Sequence, residues 1–199
     1  MRKKYNAMKR LFNILTVCAA LLAAGCKSSC PPPENPVPDG DSICLLGASF
    51  AYSANTWFEM GCEELGLNAL NYADGSGINI ADDAVRMHDS DFLSDGRLLD
   101  SFEILAILHT HNYDVCDTGQ LADDYTSYEV SKSMGYARAF DYVIRKYADN
   151  CRALEFDESS KWFGVKGGKP VRILFCTHWH DARTIYNESV RRLCERWPE

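Results

Sequence analysis

The chain predicts an α/β fold carried by a parallel β-sheet. Three observations point there. Four short apolar runs are continuous rather than alternating, the pattern of strands buried on both faces; stretches with apolar residues at helical spacing separate them; and small or turn-forming residues stand at the junctions.

The first strand is expected at 43–47, where Ile43-Cys44-Leu45-Leu46-Gly47 gives way abruptly to the small residues Ala48 and Ser49. A helical pattern follows at 54–65, then a second strand at 67–72, the turn Gly75-Ser76-Gly77 and a helix at 80–88. The third strand, 102–109, closes on His109-Thr110-His111-Asn112. Residues 113–131, rich in Asp, Tyr and Ser, form a long loop of the kind that tends to be functional in compact domains. In the helix expected at 132–149, Tyr136, Phe140, Val143, Ile144 and Tyr147 recur at helical spacing and form its core face. An irregular stretch at 155–169 carries Trp162, Phe163 and Gly167-Gly168; a fourth strand at 171–177 and a helix at 183–196 complete the pattern. Asp82-Asp83 reads as a helix face and Asp123-Asp124 as a solvated loop, because a calcium loop needs more oxygen ligands at regular spacing. Roughly 160 residues fold around one core, with no internal repeat.

Ahead of the domain stands an address. Arg2, Lys3, Lys4, Lys9 and Arg10 precede an apolar run too short to span a bilayer comfortably, and the run closes on Ala23-Ala24-Gly25-Cys26. This resembles a bacterial lipoprotein signal, with cleavage before Cys26 and acylation of that residue; an ordinary secretory signal with an incidental cysteine is the alternative. The division is then a signal at 1–25, a lipidated Pro-rich tether at 26–41 and a domain at 42–199. Lys27 is not the acidic residue associated with inner-membrane retention, so the expected address is the outer membrane of a bacterial cell envelope. Removing 1–25 deletes five basic residues and no acids, taking the formal charge from −7 to −12. An acidic body argues against nucleic acid as partner. Of nine cysteines, Cys18 leaves with the signal and Cys26 carries lipid; the remaining seven cannot all pair, and with no CxxC spacing neither a zinc site nor a disulfide scaffold is indicated.

Gly47-Ala48-Ser49, then Asn71 with Gly75-Ser76-Gly77, then His111-Asn112, each after a strand, together resemble the first three sequence blocks of the SGNH (GDSL-like) hydrolases. The likeness spans residues 42–196 and is nearest an uncharacterised lipoprotein group of that superfamily. It implies a three-layer, flavodoxin-like parallel sheet. It also implies Ser49 as nucleophile, Gly77 as a backbone N–H donor to the oxyanion hole and Asn112 as its side-chain donor. Ala48 replaces the family's usual aspartate, which removes a supporting hydrogen bond. The family's terminal Asp-x-x-His block has no counterpart before Glu199, so the chain is expected to lack its last strand. Local structure offers a plainer reading: Ser49 in a tight turn, Gly77 in a left-handed one and Asn112 as a cap.

The chemistry fits those residue types. A serine hydroxyl needs a base to take its proton, and a tetrahedral intermediate needs donors aimed at its oxygen. Four histidines cluster near the strand ends, as His109 and His111 and as His178 and His180. His180, followed by Asp181, is the candidate base with His178 as the other choice; His111, His178 and Asp181 are candidate substrate contacts. Two HxH pairs with Asp114 or Asp181 also resemble first-row metal ligands in type. The blander reading has these histidines and Trp179 shaping a polar cleft without chemistry of their own. Phe50, Tyr52, Trp57 and Phe58 either line a sugar-binding surface or pack the first helix. The expectation is a lipid-anchored esterase without cofactor, acting on a small-molecule or glycan acyl ester, acetyl being the model group. The competing class is a catalytically impaired, ligand-binding surface lipoprotein on the same fold, and a metal-dependent hydrolase comes second.

Overall fold

A computed structural model describes residues 41–52, 55–110, 121–178 and 184–196. The strands are β1 (Ser42–Gly47), β2 (Asn68–Asn71), β3 (Ile104–Leu108) and β4 (Ile173–Phe175). The helices are α1 (Trp57–Leu65), α2 (Ile80–Asp89), the short α3 (Gly96–Leu99), α4 (Tyr136–Ala153) and α5 (Thr184–Arg196). All pairings are parallel and the strand order is β2-β1-β3-β4, compatible with a flavodoxin-like α/β fold. Among the described residues no helix is long and apolar enough to cross a membrane.

The continuous apolar strands divide their side chains by alternation. Cys44, Leu46, Leu105 and Ile107 join a core with Ile80, Ala84 and Met87 of α2, Tyr136, Phe140, Val143 and Tyr147 of α4, and Val190 and Leu193 of α5. Ile43, Leu45, Ala106 and Leu108 join a smaller one with Phe58 and Cys62 of α1. The expected core face of α4 is thus confirmed. Leu45, with no exposed surface, contributes about 1.5–3 kcal/mol by its burial.

Four boundaries moved for local reasons. Helix α1 starts at Trp57, not 54, because Thr56 caps it: its N–H and hydroxyl donate to Glu59 Oε2 at 3.0 and 2.5 Å. Helix α4 starts at Tyr136, since the Met134 N–H turns back to Ser131 O at 3.0 Å, and it runs past 149 into a 3₁₀ turn at Leu154–Phe156. Strand β3 begins at Ile104, after the Ser101 N–H closes a turn on Leu98 O. Strand β4 is shorter than 171–177; the Cys176 N–H still reaches Ile107 O at 2.9 Å, but β4 is the outer strand and all three of its residues are half-buried. The end of the long loop docks on α4, where the Tyr128 hydroxyl donates to Asp141 Oδ2 (2.8 Å) and Arg145 Nη1 to Ala122 O (3.0 Å).

Asp82-Asp83 needs correcting. Asp82 caps α2, accepting from the Asn79 N–H at 2.9 Å, whereas Asp83 is wholly buried. The expected helix face holds for the half-buried Asp82, whereas Asp83 is held inside by the buried His109 ring and the partly exposed Arg86 guanidinium.

Lys169 is another buried charge. Its ammonium donates to Leu99 O (2.5 Å) and Phe102 O (2.6 Å) and lies 3.7 Å from the centre of the Phe102 ring. Those carbonyls end α3 and lead into β3, so one side chain clasps the lead into β4 to the turn before the neighbouring strand.

Candidate functional site

Strand β1 is flanked by β2 on one side and β3 on the other, so chain order reverses across it. Open parallel sheets bind ligands in the crevice beyond the strand ends at such a point. Ser49 stands there, exposed, two residues past the end of β1 in a turn closed by the Ala51 N–H donating to Ala48 O at 3.0 Å. Register puts Gly47 opposite Leu108, so Ala48 and His109 emerge from adjacent strand ends.

The loop after β2 is stitched to the loop after β1. The Asp74 N–H donates to Gly47 O at 3.0 Å. Asn71 joins three segments: its amide donates to Ala51 O (2.7 Å) and Glu59 Oε1 (2.6 Å), and its oxygen accepts from the Ala73 N–H (2.9 Å). Burial alone would raise the Glu59 pKa, but the hydrogen bonds from Thr56 and Asn71 outweigh it and hold the carboxyl below its usual range. Gly47 suits this close approach, for an added Cβ would lie a tight 3.2 Å from Leu108 O and in contact, at 3.6 Å, with the Cβ atoms of Ala51 and Ala73. Gly77, at φ +85°, adopts a left-handed backbone that side chains disfavour, and it is exposed.

The loop after β4 reaches back to the same rim. The His178 ring meets Phe50, the neighbour of Ser49, edge-on with centroids 4.6 Å apart. Asn187 of α5 clamps the His178 main chain from both sides, its oxygen accepting from the His178 N–H (2.8 Å) and its amide donating to the His178 carbonyl (2.7 Å). His178 is almost wholly buried, so it packs inside the rim instead of standing open on it.

His109 departs from the expected cleft. Its side chain is fully buried, and Nε2 lies 2.7 Å from Asp83 Oδ2, whose other oxygen is 3.0 Å from Arg86 Nη1. A carboxylate so placed accepts a hydrogen bond from Nε2–H, while Nδ1 is buried with no hydrogen-bond partner. The Tyr136 hydroxyl donates to the His109 carbonyl and fixes the end of β3. Asp83 was invisible to motif reading; the only signal for it was an acid on the apolar stripe of α2, one residue before Ala84.

The aromatic residues divide as well. Phe58 is core, Trp57 Nε1 donates to Phe50 O at 2.9 Å, and only Tyr52 is largely exposed, packed on Gly75. Cys26, His111, Asn112, Asp114, Trp179, His180 and Asp181 lie outside the described residues. Among the described residues no group of three or more His, Cys, Asp or Glu side chains is placed to hold a metal ion, and His109, one member of the supposed metal pairs, is turned onto Asp83.

No curated protein and no solved structure matches the chain. A family model described as "Domain of unknown function (DUF5040)" matches residues 41–198, from the residue before β1 to beyond α5, and the chain belongs to that family.

Proposed function

We infer that the protein is a lipid-anchored serine esterase of SGNH type, on a three-layer α/β/α scaffold, acting in the cell envelope on acyl esters of small molecules or glycans. The observation that carries this is the exposed hydroxyl of Ser49 beyond β1, at the strand-order reversal, with the loops after β2 and β4 drawn to the same rim.

Ser49 attacks the acyl carbon as its proton passes to a histidine from the loop after β4. His178 is favoured, because its ring meets Phe50 and its backbone is clamped by Asn187; His180 is the other candidate in that loop. The nascent oxyanion is met by the N–H groups of Ser49 and Gly77 and the amide of Asn112. Collapse releases the alcohol, which takes the proton back from the imidazolium, and water then hydrolyses the acyl-enzyme by the same route. Tyr52, an exposed ring beside the Gly75 turn, supports a carbohydrate alcohol, since sugars stack on such rings.

The competing reading, a ligand-binding lipoprotein without catalysis, is favoured by Ala48, which leaves no carboxylate beside the serine. Hydrolysis of a chromogenic acetate ester by the wild type and by Ser49→Ala separates the two. The esterase requires a fall of about 10³-fold or more in the variant; no turnover by either leaves the binding reading, and equal turnover by both removes Ser49 as the nucleophile.

A further inference from the structure

Exposed apolar side chains gather at the end of the sheet opposite the candidate site. Of seven large apolar side chains exposed among the described residues, four, Leu65, Phe156, Phe163 and Val171, lie on segments leading into the N-terminal ends of strands. All strands being parallel, those segments share one end of the sheet. Phe156 and Phe163 are 77% and 52% exposed. They sit on the two arms of one turn, closed where the Gly164 N–H donates to Glu155 O at 2.9 Å.

That turn is fastened to the place where the chain joins the domain. Lys161, two residues before Phe163, donates to Asp100 O (2.7 Å) and pairs with Glu103 Oε1 (3.3 Å), while Glu103 Oε2 accepts from the N–H of Ser42, the first residue of β1 (2.8 Å). Beside it the Asn68 N–H donates to Asp41 O at 3.0 Å, three residues after Leu65. The apolar side chains therefore flank the point from which the 40 preceding residues depart, Cys26 among them.

Single exposed apolar residues are ordinary. Their concentration around an anchored terminus is not, because a tether of some fifteen residues holds this end at roughly millimolar effective concentration near its membrane, where even weak insertion counts. Charge decides the kind of surface. Lys161 and Lys166 stand among Glu155, Asp157 and Glu158, and the mature chain is acidic, so attraction to anionic headgroups is absent and apolar insertion remains.

We propose that this end of the domain rests on the phospholipid bilayer, with Phe156 and Phe163 inserted at the acyl boundary, so that Ser49 faces away from the membrane. The proposal rests on the lipid-anchor reading of Cys26. It directs the esterase toward soluble or wall-borne esters and away from lipids in its own bilayer.

The test uses the full mature, lipidated chain in phosphatidylcholine vesicles with or without bromine on the acyl chains. Phe156→Trp and Phe163→Trp are compared with Ile185→Trp, an exposed position at the start of α5. Emission added by Trp at 156 and 163 should fall about twofold with brominated lipid and resist added salt, as interfacial apolar insertion requires, while that at 185 is unchanged. Equal, unquenched emission at all three positions, with the protein still floating with the vesicles, overturns the proposal and leaves the anchor intact. Failure to float removes the anchor reading and the proposal with it. A blue shift at 156 and 163 that follows protein concentration without lipid identifies a second copy of the chain as the occupant, and also overturns it.

Discussion

At the scale of single residues, Asp83 and Gly77 carry the sharpest consequences. Asp83 is a buried carboxylate satisfied by the His109 ring and the Arg86 guanidinium. Removing Asp83 leaves the buried His109 ring without its hydrogen-bond partner, so Asp83→Ala should destabilise the protein by about 3 kcal/mol, and Asp83→Asn by less, since an amide oxygen still accepts from Nε2. Chemical denaturation measures both. Gly77→Ala tests a different property. Nothing lies within 4 Å of an added Cβ, so the cost is the left-handed backbone alone, about 1–2 kcal/mol. If the Gly77 N–H serves the oxyanion, kcat should fall about 10²-fold or more while the unfolding midpoint shifts only slightly; parallel small losses in both would make Gly77 a turn residue only. The places of Ser49 in a turn just past a strand and of Gly77 at a left-handed position were legible because small residues after an apolar run mark such turns. Asp83 was not, because burial of a charge depends on a histidine 26 positions away that only the sheet brings near.

At the scale of elements, the order and type of strands and long helices were legible, since continuous apolar runs and helical periodicity report burial directly. What escaped was set by local hydrogen bonds: the Thr56 cap that delays α1, the turn that delays α4, and the short α3 held by Lys169. The Thr56-x-x-Glu59 pattern is a capping-box signature and could have fixed the α1 boundary. Lys169 had no sequence signal, being one lysine in a loop rich in charges. Burial pushes its ammonium down to about 8, whereas an unfolded chain keeps a lysine near its ordinary value of about 10.4. Between those values the unfolded state binds the additional proton, so the stability contributed by Lys169 rises with pH across that window. The neutral amine still has two N–H groups for the Leu99 and Phe102 carbonyls. Cys44 opposes this: burial pushes its thiol up to about 12, so its contribution is lost as pH climbs past about 8.5, where an unfolded thiol ionises. The difference between wild type and Lys169→Met isolates the lysine. Calorimetry from pH 7 to 10.5 should show the wild type about 1–2 kcal/mol ahead at pH 7, from the two carbonyls left unpaired in the variant, with the gap widening above pH 8. A gap independent of pH would place the Lys169 nitrogen in a more polar setting.

At the scale of the whole molecule, the parallel sheet gives the domain two unlike ends. One gathers the loops after β1, β2 and β4 around Ser49; the other receives the chain from its N-terminal segment and exposes Phe156 and Phe163. The proposed esterase site, facing away from the proposed anchor, rests on the same polarity. Of the four histidines expected near the strand ends, His109 is drawn onto Asp83 and His178 is packed against Phe50, contacts that depend on residues distant in sequence, while His111 and His180 lie outside the described residues. The most direct measurement is the rate of chromogenic acetate hydrolysis by the purified chain and by Ser49→Ala at equal folded concentration. Turnover by the wild type with a loss of about 10³-fold or more in the variant is the expected result. Equal rates, or no turnover by either, would contradict a nucleophilic Ser49.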